Sequence, residues 1–357
     1  MLFDRFIGGT DGLDSYNRAN RLKLIFMAVM VAIIGFTILY SLSVSKYPVS
    51  LNEALGIVWD RLTVGPSGTV AEMVVYNDLV PRSLIAVISG ASLAVAGAVM
   101  QSMLHNPLAD PYNTGVSSGA SLGASVSIVL GITIIPLDGT VGLVGNAFVF
   151  ALIPSFLILG LSAFKKITST TMILVGIGVM YMFSALTQLL KLQATPNEMN
   201  LLYRWQLGSL AECSLQDVGI VLVACVICCL LLYRFRIDLN LLSVGDKSAI
   251  TMGTNPWRVR IICLLIVSFM TAVIVSFTGV IGFVGLVAPQ VVRMLMGSDN
   301  RFLLPASAVF GGAFLLICDC IGRVVGTTGV PVGVITAIIG SPLFLYMLIK
   351  RSKKVTI

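Results

Sequence analysis

One histidine, His105, is all the chain offers toward imidazole chemistry, and charged side chains make up only 11% of its 357 residues. A lone histidine with no cluster of acids is poor material for a catalytic constellation or a metal cage, so no catalytic residue, metal or cofactor is expected. Soluble domains carry about a quarter charged residues, so the soluble globular and disordered classes are excluded. No G-x-x-x-x-G-K-[ST] phosphate loop occurs, and the chain has no visible means of hydrolysing ATP. Of seven cysteines, all but Cys213 lie in apolar stretches, where thiols serve as small hydrophobes. Cys225-Val-Ile-Cys228 has the spacing of a metal pair, but the one histidine is far off in sequence, and no metal site is proposed.

Apolar residues fill the chain instead, at 57% of positions with a mean hydropathy of +0.98. At roughly 20 residues per span this supplies about ten membrane-spanning helices, so the fold class is an all-α polytopic membrane protein. Uninterrupted runs lie at about 23–44, 83–103, 115–135, 141–163, 170–190, 215–233, 259–278, 303–325 and 332–350. The stretch from Gly279 to Gly297, punctuated by Gly282, Gly285 and Pro289, reads as a broken or short span. Residues 1–21 are polar, contain Asp4, Asp11 and Asp14, and lead into an apolar run without a cleavage pattern, as a retained tail does. A single membrane domain over 22–350 and a short tail over 351–357 complete the division.

The net charge of +7 needs no nucleic-acid partner, because the basic residues gather at span ends. With the amino terminus inside, only Lys46, Arg61, Arg82, Lys191, Arg204 and Arg323 fall on the outer side, and the rest of the 23 fall on the inner side. The positive-inside rule then puts both termini in the cytoplasm of a plasma or inner membrane. The outer segment 45–80 spaces Leu51, Ala54, Leu55, Val58 and Leu62 as a short helix lying along the membrane surface. The inner segment 234–258 is polar and holds Gly245-Asp246-Lys247-Ser248.

Within the spans, Gly115, Gly119 and Gly123 recur every fourth residue, as do Gly90, Ala94 and Ala98, and both sets read as faces for close helix packing. Asp319 and Arg323 stand four apart with the acid first, a spacing at which they can pair on one helix face and offset part of an insertion cost of about 2.5–3.5 kcal/mol per charge. Arg323 could also present its guanidinium to an acidic partner outside, and Arg82, after Pro81, has the choice between snorkelling and docking. Asn106-Pro107-Leu108-Ala109-Asp110-Pro111 ends the second span in a turn whose Asn and Asp can bond freed backbone.

These residues together resemble the permease subunits of ABC importers for iron-siderophores, haem and cobalamin, the FecCD type, over nearly the whole chain. The resemblance rests on ordered motifs: Pro81-Arg82, Gly90-Ala91, Gly97-Ala98, Gln101, Asn106 to Pro111 and Gly115 to Ala120. It continues through Leu207-Gly208-Ser209-Leu210, Gly245-Asp246 with Ala249 and Gly253, and Gly279 to Pro289. Arg293, Gly297, Asp299, Arg301, Asp319, Arg323, Pro331-Val332-Gly333 and Gly340-Ser341-Pro342 close the series.

The resemblance implies a permease of type II importer architecture, working as a homodimer or beside a close relative, with the path along the dimer interface. Two copies of a cytoplasmic ATPase would dock on the inner face through residues 239–254, with Leu241, Gly245, Asp246, Ala249 and Gly253 as coupling positions. An extracytoplasmic substrate-binding protein would dock at Arg82 and Arg323. Gln101, Asn106, Pro107, Gly115, Gly119 and Gly123 would line the path or pack beside it. The chain departs from the pattern at Leu79-Val80-Pro81-Arg82, where relatives often read Arg-Leu-Pro-Arg and the first arginine is absent here, at Gln290 in place of histidine, and at Gly329 in place of an acid. A secondary transporter, the rival reading, would carry mid-span acids or a histidine, and Asp319 alone qualifies. Among cargoes the iron-siderophore is favoured over haem and cobalamin by its frequency in this branch.

Overall fold

The computed structural model describes residues 12–45, 47, 49–134, 140–164, 168–326 and 329–352. The expectations for residues 1–11 and 353–357, and for Lys46, Lys165 and Lys166, lie outside the described residues.

The described residues are mainly helical. Helix α1 (Gly12–Ser41) is followed by α2 (Leu51–Thr63) and α3 (Val70–Val74), which continues through a π-helical turn at Val75–Leu79 into α4 (Val80–Met103). A 3-10 turn at Pro111–Thr114 leads to α5 (Val116–Leu130), α6 (Thr140–Phe164), α7 (Ser169–Lys191), α8 (Pro196–Gln206) and α9 (Leu215–Arg234). Two short helices, α10 (Arg236–Leu242) and α11 (Asp246–Thr251), precede α12 (Pro256–Thr278), α13 (Val284–Met296), α14 (Asn300–Val324) and α15 (Val332–Ser352). Among the described residues eight helices are long and apolar enough to cross a membrane, and the apolar α5 and α13 are shorter.

Local chemistry sets many of the boundaries. Ser50, Thr69, Thr168, Thr195, Ser214, Asn255 and Asp299 each cap a helix start with a side-chain oxygen, and Thr195 with Glu198 and Ser214 with Asp217 form reciprocal capping boxes. The third span, expected to reach residue 135, stops at Leu130, because Gly131 takes a left-handed φ of 65°. The second span starts earlier than its apolar run, because α3 and the π turn extend α4 backward through polar residues. The polar inner segment 234–258 holds the two short helices α10 and α11, and the expected coupling stretch 239–254 takes in the end of the first and all of the second.

Helix α4 forms the centre. Its most apolar window is 78% buried, against 17% for α7 and 0% for α1, so α4 is enclosed by protein while α1 and α7 turn apolar side chains outward. Bare backbone makes that enclosure possible. A Cβ on Gly97 would stand 1.8 Å from the Gly285 carbonyl oxygen in α13, and one on Gly90 would stand 2.4 Å from that of Gly311 in α14. Gly119 and Gly123 do the same for α5 against the Phe150 and Asn146 carbonyls of α6. Six cysteines are buried and Cys229 is half-buried, all as free thiols.

Candidate functional site

The end of the bundle that carries Arg82 holds an ionic cluster. Arg323 Nε donates to Asp319 Oδ2 at 2.7 Å, so the pair expected one helical turn apart on α14 forms. Arg82 joins it from α4: its Nε lies 2.9 Å from Asp319 Oδ1, across 237 residues of sequence. Arg323 also donates to the Ser41 carbonyl at 3.1 Å and to Ser83 Oγ at 3.3 Å, which ties α1 and α4 to α14. Asp319 is fully enclosed and Arg323 is 4% exposed, whereas the Arg82 side chain keeps 16%. Thus Arg82 neither snorkels nor stands free: a carboxylate shared by two guanidiniums holds it at the rim. The rim opens into a cleft of about 800 Å³, lined by Tyr47, Asp78, Arg82, Arg204, Trp205 and Phe277 among others.

Three motif glycines meet beside that cleft. A Cβ on Gly279 would stand 2.1 Å from the Trp205 carbonyl oxygen, one on Gly208 2.3 Å from that of Val280, and one on Gly333 2.3 Å from that of Leu207. Backbones from the ends of α8 and α12 and the start of α15 therefore touch directly. The Leu207–Leu210, Gly279 and Pro331–Gly333 motifs, remote in sequence, form one junction.

After Gly279 the chain runs without helical pairing to Phe283, which takes φ 69°, and α13 follows. Non-helical backbone at membrane depth needs donors and acceptors from elsewhere in the protein. The Tyr112 hydroxyl accepts the Ile281 N–H at 3.3 Å, and the Ser209 N–H donates to the Thr278 carbonyl at 2.8 Å. Pro289 lacks the N–H that would reach the Gly285 carbonyl, and Gln101 Nε2 approaches that oxygen and the one of Leu286, each at 3.4 Å. Gln290, standing where relatives often have histidine, donates to Gln101 Oε1 at 3.2 Å and to the Pro107 carbonyl at 2.8 Å.

This network fixes the Asn106–Pro111 turn. Asn106 Oδ1 accepts the Leu108 N–H and Asp110 Oδ1 accepts the Tyr112 N–H, both at 2.9 Å, the backbone capping that residue types suggested. Burial pushes the Asp110 carboxyl up to about 6, against the opposing pull of the Tyr112 N–H. Of the residues offered as path or packing positions, Gln101 is buried, Gly119 and Gly123 pack α5 on α6, and Gly115, at φ 90°, faces the Pro154 ring of α6. Asn106 and Pro107 belong to the turn.

The opposite end carries α10 and α11. Gly245, at φ 134°, and Gly253, at φ 85°, bracket α11 with backbone that side chains disfavour. Leu239, Leu242 and Ala249 face inward, Leu241 is half-buried, and Val244, Ile250 and Met252 are exposed. Asp246 pairs with Arg260 of α12, and hydrogen bonding from that guanidinium, opposed by burial, holds the carboxyl below its ordinary range. Arg260 and the Asn240–Asp299–Asn300 contacts escaped the sequence reading. A signal existed: Arg260 falls on the helical stripe that Cys263, Leu264, Val267 and Thr271 continue, so it points into the bundle.

Fold and site define a polytopic helical membrane permease. The chain belongs to the FecCD transport family, whose model matches residues 24–350. It is 35% identical over 350 residues to the "Putative ABC transporter permease protein" of Methanocaldococcus jannaschii, covering 95% of this chain and 98% of that one. It is 36% identical over 304 residues to the cobalamin import system permease protein of Halobacterium salinarum, covering 83% of this chain and 80% of that one. A solved structure described as "An inward-facing conformation of a putative metal-chelate type ABC transporter" superposes with a TM-score of 0.79 at 28% identity, over 91% of this chain and 98% of that one. Further relatives are named for hemin, Fe(3+)-citrate and molybdate import.

Proposed function

We propose that this chain is the membrane-spanning subunit of an ATP-driven importer that moves an iron-siderophore chelate inward by alternating access. Two copies, or one copy and a close relative, would enclose the path. The observation that carries this reading is the α10–α11 pair, which exposes Val244, Ile250 and Met252 beside Asp246 and Lys247. Apolar side chains presented on a charged face outside the spans mark a protein contact. We assign to it the two ATPase copies that a chain without a phosphate loop requires, with Leu241, Gly245, Asp246, Ala249 and Gly253 shaping the contact. Both termini are then cytoplasmic.

At the other end Arg82 is the docking arginine for an extracytoplasmic binding protein, and Arg323 supports it through Asp319. The cleft of about 800 Å³ beside Arg82 admits a bulky, already wrapped chelate, which suits a siderophore, haem or cobalamin. We take Gln101, Asn106, Pro107, Gly115, Gly119 and Gly123 as packing residues behind the path. A secondary transporter is disfavoured because Asp319, the acid that could have served it, is engaged by two guanidiniums near the end of α14.

The test is reconstitution in vesicles with a candidate ATPase and a candidate binding protein from the same source. Uptake of a ferric siderophore that needs internal or external ATP on the ATPase side supports the reading. Uptake of haem or cobalamin in its place corrects the cargo, and uptake driven by an ion gradient without the ATPase overturns the mechanism.

A further inference from the structure

Arg260 is buried in the second turn of α12, yet all its donor nitrogens are spoken for. Its two terminal nitrogens grip both carboxylate oxygens of Asp246, the first residue of α11, with Nη1 to Oδ2 at 2.8 Å. Its Nε turns the other way and donates at 2.8 Å to the carbonyl of Met103, the last residue of α4. Terminal carbonyls of a helix lack intrahelical donors and carry its negative end, so a cation is well placed there. The planar fork of arginine serves the carboxylate and the carbonyl at once, a division that a lysine ammonium cannot reproduce with the same geometry.

A second arm reaches the neighbouring residue of the same helix. Asn240 of α10 donates to Asp299 at 2.9 Å and accepts from Asn300 N–H at 2.7 Å, while Ser102 Oγ donates to Asn300 Oδ1 at 3.1 Å. The α10–α11 pair therefore holds Ser102 and Met103 through two independent polar links. From that grip α4, 24 residues or about 36 Å long at the helical rise, runs to its other end, where Arg82 stands in its first turn.

We infer that Arg260 is a positioning residue for transport, joining the α10–α11 pair to α4 so that displacement of the pair is delivered to the far rim as movement of one enclosed helix. This rests on the importer reading above. Its path is physical: a bidentate ion pair made by a buried arginine, a helix-end carbonyl and a continuous helix whose neighbours touch it through Gly90 and Gly97.

Two measurements on Arg260→Gln and Arg260→Lys test it. In the complete transporter, cargo taken up per ATP hydrolysed falls about tenfold in both variants while hydrolysis continues. Wild-type complex that takes up nothing sinks the importer reading and leaves the second measurement to decide the link. In that one, hydrogen exchange on the purified chain, both variants raise exchange together in α11 and in the last turn of α4. Joint loss of uptake and hydrolysis in proportion would mean a merely structural role. So would an unchanged uptake ratio, or exchange that rises in α11 alone, and each of these overturns the proposal. Lysine keeps the charge, so the test survives if glutamine prevents folding.

Discussion

Gln101 offers its side-chain amide to the carbonyl of Gly285, the acceptor that Pro289 leaves without an intrahelical donor. The contact is long, at 3.4 Å, and the same amide is shared with the Leu286 carbonyl. A discontinuity in one span is thus served by a polar residue on the helix packed against it, and Gln290 ties both to the Asn106–Pro111 turn.

Gln101→Leu should leave the Gly285 carbonyl and the Gln290 amide short of partners in a buried site. The expected cost is about 1–3 kcal/mol, the desolvation penalty of an unsatisfied polar group. A lowered unfolding temperature of the purified protein in detergent checks it, and an unchanged midpoint refutes the role given to Gln101.

Asp319→Ala should be among the most damaging single changes, because it strands two guanidiniums in an enclosed site. Breaking a buried pair costs about 3–5 kcal/mol. Combining Asp319→Asn with Arg323→Met removes charge from both sides and should recover part of the loss. Denaturant midpoints of the single and double variants give the comparison. Additive losses would show that the cluster is not coupled.

Gly97→Ala should separate α4 from α13, since its Cβ would meet the Gly285 carbonyl oxygen at 1.8 Å. Overpacking of this kind costs about 1–3 kcal/mol, and more where the obstacle is backbone. Gly160→Ala, with nothing within 4 Å of its Cβ, is the matched control and should be neutral. Equal thermal stability of the two variants would contradict the packing assigned to Gly97.

Acid should loosen the α10–α11 end. Burial opposes ionisation of Asp299, but hydrogen bonds from Arg301 and Asn240 outweigh it and lower its carboxyl from 3.8 to about 2. Asp246 is lowered from 3.8 chiefly by hydrogen bonding from Arg260. A depressed carboxyl contributes stability that is fully present above its unfolded value and is lost as pH falls through the folded one. Exchange in α10 and α11 should therefore rise between pH 3.8 and about 2, and Asp299→Asn should flatten part of that rise.

Much of this architecture is legible in the sequence because membrane spans must be long and apolar, a demand that composition meets openly. The Asp319–Arg323 pair is equally open, since four residues of helix bring the two together. Arg82 is not, because its carboxylate lies 237 residues away and only packing of α4 on α14 joins them. The same holds for the junction of Gly208, Gly279 and Gly333. Motif glycines announce close approach, but nothing local says which backbone approaches. Helices α10 and α11 were hidden by polarity, their apolar residues being too few in each short helix to show a period.

The thiols have a practical sequel. With six cysteines enclosed and Cys229 only half-open, a bulky water-borne maleimide finds almost nothing to modify on the native chain. A cysteine introduced at an outward position such as Val244 or Trp59 would then report with little background, and site-directed labelling can begin without first stripping the protein of sulfur.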